Sequence, residues 1–69
     1  MEIKSYTKKE LALAYSPNLT MVSALNRLAI WITGNEDLLS ALQRSGYSKN
    51  QRIFTSYQVR LIFEFLGEP

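Results

Sequence analysis

Residues 6–11, Tyr6-Thr7-Lys8-Lys9-Glu10-Leu11, and residues 54–59, Phe54-Thr55-Ser56-Tyr57-Gln58-Val59, follow one pattern. Each has an aromatic, then threonine, then a Glu or Gln three residues on, then an aliphatic. This is a capping box. The threonine hydroxyl accepts from the backbone N–H three residues later, and the Glu10 or Gln58 side chain reaches back to the threonine N–H. The flanking pairs Tyr6/Leu11 and Phe54/Val59 are spaced as hydrophobic staples, so both helix starts, at Thr7 and Thr55, are strongly specified.

Two more helices fit between them. Pro17 closes the first helix, and Thr20 caps a second that runs from Met21 to about Ile32. Gly34 stands where a helix takes a left-handed residue after its end. Asn35 caps a third helix, with Glu36 and Asp37 well placed in its first turn, and Gly46 ends it. The last helix runs from Ser56 to Leu66 and stops at Gly67 and Pro69. The short segments Glu2 to Tyr6 and Arg52 to Phe54 carry Ile, Tyr and Phe and suit strands; pairing them would set the two staples side by side. Tyr47 to Gln51 then forms a polar loop beside the sheet. The expected fold class is mainly α: three to four helices with a minimal two-stranded sheet, around a core of Leu25, Leu28, Trp31, Leu39, Leu42, Val59 and Ile62.

At 69 residues the chain has room for a single small domain, with marginal stability unless a partner helps. It contains neither cysteine nor histidine. Disulfides, thiolate metal sites, the commonest general base and the commonest metal ligand are thereby absent. Serines and threonines have no base arranged beside them, most serve as caps, and no glycine-rich phosphate loop occurs, so neither an enzyme nor a cofactor is expected. The N-terminus lacks a signal-like apolar run. The most apolar stretch, Met21 to Ile32, is short of the roughly 20 residues a membrane span needs, so a soluble, cytoplasmic protein is expected.

Net charge is only +2. From Leu38 to Phe63, however, Arg44, Lys49, Arg52 and Arg60 occur without one acid, a layout that serves either as a basic patch or as ordinary solubilising charge.

Lys8-Lys9-Glu10-Leu11-Ala12 resembles the opening of the first helix in the small winged helix-turn-helix domains of excisionases and MerR-like regulators. Gly46-Tyr47 and the run from Arg52 to Val59 resemble their wing and following helix. Over nearly its whole length the chain also resembles a family of short bacterial proteins, domain of unknown function 4248. Lys9-Glu10-Leu11-Ala12, the Ala24…Leu28…Trp31-Ile32 spacing, and Arg52…Phe54-Thr55…Gln58-Val59-Arg60-Leu61-Ile62 ending in Leu66-Gly67-Glu68-Pro69 carry that likeness. This second resemblance implies a fold and no activity. The first implies DNA as partner, with the second helix reading the major groove and the first abutting the backbone.

Asn26, Arg27 and Ile30 fall on the polar wedge of the second helix. Arg suits guanine, Asn suits adenine and an aliphatic can touch a thymine methyl; a solvated helix face has the same composition. Lys8 and Lys9 sit in a first helical turn, where the macrodipole disfavours cations, and beside free N–H groups they would make a phosphate seat; tolerated surface lysines are the plain alternative. Lys49 and Arg52 could follow a phosphate or enter a minor groove from the loop, or simply solvate a turn. In the last helix Tyr57, Leu61 and Phe65 form a second apolar column beside the core stripe of Val59, Ile62, Phe63 and Leu66. That column either mates with a protein partner or a second copy, or is covered within the domain. Two functions are therefore expected to compete: DNA binding through Lys8, Lys9, Asn26, Arg27, Lys49 and Arg52, or protein–protein interaction through Tyr57, Leu61 and Phe65.

Overall fold

The computed structural model describes residues 1–69. The chain runs β1 (Tyr6–Thr7), α1 (Lys8–Tyr15), α2 (Met21–Gly34), α3 (Glu36–Arg44), β2 (Ile53–Phe54) and α4 (Ser56–Leu66). The expected order and the mainly helical class with its minimal sheet are both present. β1 and β2 pair antiparallel, Tyr6 opposite Phe54 and Thr7 opposite Ile53.

Both capping boxes are complete. Thr7 Oγ1 accepts from Glu10 N at 3.0 Å, and Glu10 Oε1 accepts from Thr7 N at 2.9 Å. At the second start Thr55 Oγ1 accepts from Gln58 N at 3.2 Å, and Gln58 Oε1 accepts from Thr55 N at 3.0 Å. Because the strands immediately precede the caps, pairing them fixes the two helix starts against each other.

Three expectations are corrected. The first strand does not reach back to Glu2. Only Tyr6 and Thr7 pair, because β2 offers just two residues before the Thr55 cap turns the chain; Ser5 adds one side-chain bond to the Phe54 carbonyl at 2.8 Å. Gly34 is not left-handed: it is the last residue of α2, and Asn35 in extended conformation ends α2 and caps α3 at once, its Oδ1 accepting from Leu38 N at 3.0 Å. A one-residue hinge needs extended backbone, which Asn adopts without glycine. Positive φ occurs instead at Gly46 (91°) and Gly67 (83°), each just past a helix end.

The third correction concerns the core. Leu28, Leu42, Val59 and Ile62 are buried as expected, while Leu25 and Leu39 only pack against its edge. Trp31 stays 38% exposed and covers the end of α1, its ring edge-on to Tyr15 at 5.8 Å. Leu11, Leu38 and Phe54 are fully buried in its place. α2 packs mainly on α1 and secondarily on α3. Two neighbours cover only the Ala24, Leu28, Ile32 stripe, so the rest of the broad apolar half, including Val22 at 68% exposure, remains outside. Leu61 is also a core residue, 9% exposed, which leaves Tyr57 and Phe65 as the outward members of the α4 column.

Candidate nucleic-acid interface

The sheet brings the start of α1 against the loop that enters β2. Lys8 N donates to the Arg52 carbonyl at 2.9 Å, continuing the strand pairing by one bond. As a result Lys8, Lys9, Lys49 and Arg52 line one open groove of about 680 Å³, with Leu25 of α2, Thr7, Asn50, Gln51 and Ile53. Four cations and no acid face this groove. A smaller apolar pocket of about 250 Å³ adjoins it, sharing Lys8 and Leu25 and adding Asn26, Tyr47 and Phe54.

The four cations are not equivalent. Lys9, Lys49 and Arg52 are exposed, whereas Lys8 is half-buried. The Lys8 ammonium donates to the Lys49 carbonyl at 2.7 Å and lies 5.1 Å above the Tyr47 ring and 5.9 Å above Phe54. Tyr47 in turn stacks on Phe54, with centroids 5.7 Å apart and planes 16° from parallel. Lys8 therefore holds the loop down through charge-assisted and cation–π contacts. Two of the first-turn N–H groups of α1 are already used, Lys8 N–H donating to the Arg52 carbonyl and Glu10 N–H to the Thr7 hydroxyl, which leaves Lys9 N–H without a protein partner beside the groove. The Glu10 carboxyl is held below its ordinary range by the Thr7 backbone N–H, then by the Thr7 hydroxyl, and compensates part of the local positive field.

Of the two polar residues singled out on α2, the structure brings one to this site. Asn26 lines the adjoining pocket. Arg27, one residue and 100° further round the helix, lies over Trp31 at 6.0 Å, toward the opposite end of α1. Ile30 is 67% exposed between them.

The loop itself is ordered from beneath by Gln58 and Gln51, which the sequence marks only as a cap and a linker residue. Gln58, 2% exposed, is the hub. Its Oε1 accepts from Thr55 N and from Gln51 Nε2, and its Nε2 donates to Ser45 Oγ at 3.1 Å. Gln51 Nε2 also donates to the Ile53 carbonyl at 2.6 Å, and Gln51 N closes a turn on the Ser48 carbonyl at 2.9 Å. Thus α3, the loop, the strand and α4 meet at one neutral amide. A signal for this existed: Gln58 precedes Ile62 by four residues and so falls on the core stripe of its helix, while Glu10 precedes the more exposed Ala14.

Tyr57, Leu61 and Phe65 of α4 line a separate groove of about 290 Å³ with Ala41 and Arg44 of α3 and Ser45 just past its end. It shares no residue with the basic groove. No three His, Cys, Asp or Glu side chains come together in a way that could hold a metal ion, and no helix is long and apolar enough to cross a membrane.

These features define a small four-helix domain built on two stapled helix starts. Residues 2–69 match the family described as domain of unknown function (DUF4248), and the chain belongs to that family. No curated protein and no solved structure matches it.

Proposed function

We propose that this chain is a small DNA-binding domain of winged helix-turn-helix type. α1 and α2 are the helix-turn-helix, and the loop from Tyr47 to Arg52 is the wing. The observation that carries this reading is the groove in which Lys8, Lys9, Lys49 and Arg52 converge without an acid. Lys9, Lys49 and Arg52 contact phosphates, and Lys8 holds the wing in place. α2 enters the major groove with Asn26 directed at base edges, while Ile30 and Val22 give apolar contact of the kind a thymine methyl accepts. Arg27, drawn toward Trp31, reaches the flanking backbone. The resemblance to excisionase and MerR-like domains agrees with this assignment of parts.

Binding of this kind releases counterions. With three or four phosphates engaged, the logarithm of affinity falls with the logarithm of salt at a slope of about −3. Amide shifts in the intact protein, titrated with a random duplex at two ionic strengths, test this. The expected shifts map to Lys8, Lys9, Asn26 and residues 49–52 and weaken steeply with salt. Shifts confined to Tyr57 and Phe65, or an affinity indifferent to salt, would overturn the assignment.

A second reading is a protein-interaction module with no nucleic-acid binding, built on the Tyr57, Leu61, Phe65 column of α4, whose Tyr57 and Phe65 are exposed. It predicts association that is insensitive to salt and lost on Phe65→Ser.

A further inference from the structure

We infer that the nucleic acid bound here is A·T-rich duplex, read through its thymine methyl groups and adenine edges by one stripe of α2. The inference rests on the DNA-binding reading above and adds a sequence preference to it. At about 100° per residue, Val22, Asn26, Ala29 and Ile30 fall on one narrow stripe of the helix. All four are exposed, while Ala24, Leu28 and Ile32 turn the other way into the core. The stripe carries no charge: two branched aliphatics, a methyl and one carboxamide. Ser23 flanks it and Thr33 continues it, each with its hydroxyl engaged within the chain. Ser23 Oγ accepts from Thr20 Oγ1 at 3.1 Å, and Thr33 Oγ1 donates to the Ala29 carbonyl at 2.8 Å.

Cations border this neutral stripe on both sides. On one side Ala29 meets the loop across a cleft that Lys8, Tyr47 and Lys49 also line, and the groove of Lys9 and Arg52 adjoins it through Lys8 and Lys49. On the other side stands Arg27, over the Trp31 ring. The acids that follow α2, Glu36 and Asp37, come after its C-terminal end. The N-terminal part of the helix is therefore the part that goes deepest, as in helix-turn-helix docking. A methyl-bearing strip between two sets of cations complements a groove whose floor presents methyl groups between two rows of phosphates.

The major groove offers such a floor at A·T pairs. Thymine projects a C5 methyl there, and adenine presents an acceptor beside a donor, which a carboxamide matches with both its groups. Guanine presents two acceptors, which need an arginine or lysine, and cytosine presents a donor, which needs a carboxylate. The stripe has neither. Arg27, the residue of α2 suited to guanine, is turned away from Asn26 and lies 6.0 Å from the Trp31 ring centroid. From Val22 to Ile30 the helix rises about 12 Å, the length of roughly three to four base pairs.

The test measures, by fluorescence anisotropy, binding of the full chain to duplexes of equal length at several ionic strengths. A duplex of mixed A·T pairs binds about tenfold tighter than one of G·C pairs. Replacing every thymine of the first duplex by deoxyuracil removes only the C5 methyl groups, and it weakens binding by about fourfold for each methyl in contact. Asn26→Ala brings the A·T and G·C affinities closer and leaves the salt slope unchanged, because no phosphate contact is lost. Ile30→Ser keeps the carboxamide and reduces the response to deoxyuracil. Circular dichroism checks that both variants fold. If A·T and G·C duplexes bind equally with a steep salt dependence, or if deoxyuracil changes nothing, the sequence preference is overturned and the DNA-binding reading stands. If no duplex binds at any ionic strength, the DNA-binding reading itself fails and this inference falls with it.

Discussion

The two helix starts of this domain share one local grammar and have opposite fates. At the α1 start, Glu10 closes the box from the solvent side as a charged group that touches only Thr7. At the α4 start, Gln58 closes an equivalent box from inside the protein and also binds Ser45 and Gln51. The chemistry follows the environment. A carboxylate costs little in water, but buried it would need a matching cation, which this part of the fold lacks. A neutral amide can accept from two donors and still donate to a hydroxyl. The same four-residue device is a cap in one place and, in the other, the joint by which α4 shapes the loop carrying Lys49 and Arg52.

The largest expected break in this symmetry comes from Gln58→Ala. It strips partners from the Thr55 N–H, the Gln51 amide and the Ser45 hydroxyl and leaves a void, for a loss of about 2–4 kcal/mol. Glu10→Ala removes one exposed cap contact and costs much less. Urea unfolding of the two variants measures the difference, and equal losses would mean that the buried hub adds nothing. Next in size are the threonines. Thr7→Ala and Thr55→Ala each cost about 1 kcal/mol, because the hydroxyl-to-N3 contact is the same at both starts. A Thr55 loss several times the Thr7 loss would show that the hub depends on the cap itself.

The smallest effect is electrostatic. Because the Glu10 carboxyl is held below its usual value of 4.5 by Thr7, it contributes stability above that pH, and this contribution is lost as pH falls through the folded value. Glu10→Gln, which imitates the second start, should keep the box and remove that one acid-dependent increment. Unfolding midpoints from pH 7 to pH 3 should then fall less steeply in the variant than in wild type. An unchanged slope would show that Glu10 is not the group responsible.

Which of the four cations would act on a ligand was not legible from the chain. Lys8 and Lys9 are neighbours of identical type, and helical geometry separates them by 100°. Only the position of Tyr47 and the Lys49 carbonyl, about 40 residues away, turns Lys8 inward and leaves Lys9 free. Asn26 and Arg27 diverge for the same reason, one toward the groove and the other toward Trp31. Leu61 and Trp31 exchange the roles their apolar stripes imply, because α3 covers the flank of α4 while nothing covers the outer flank of α2.

The helix starts, the existence of the two-stranded pairing and the absence of thiol or imidazole chemistry followed from the chain itself, since caps and staples act over three to five residues, whereas the end of α2 and the extent of β1 did not. Burial of Gln58, the inward turn of Lys8 and the convergence of the basic side chains were decided only by the fold. Each depends on which distant segment arrives alongside, and an apolar stripe fixes that a helix face will be covered without fixing how far around the covering extends.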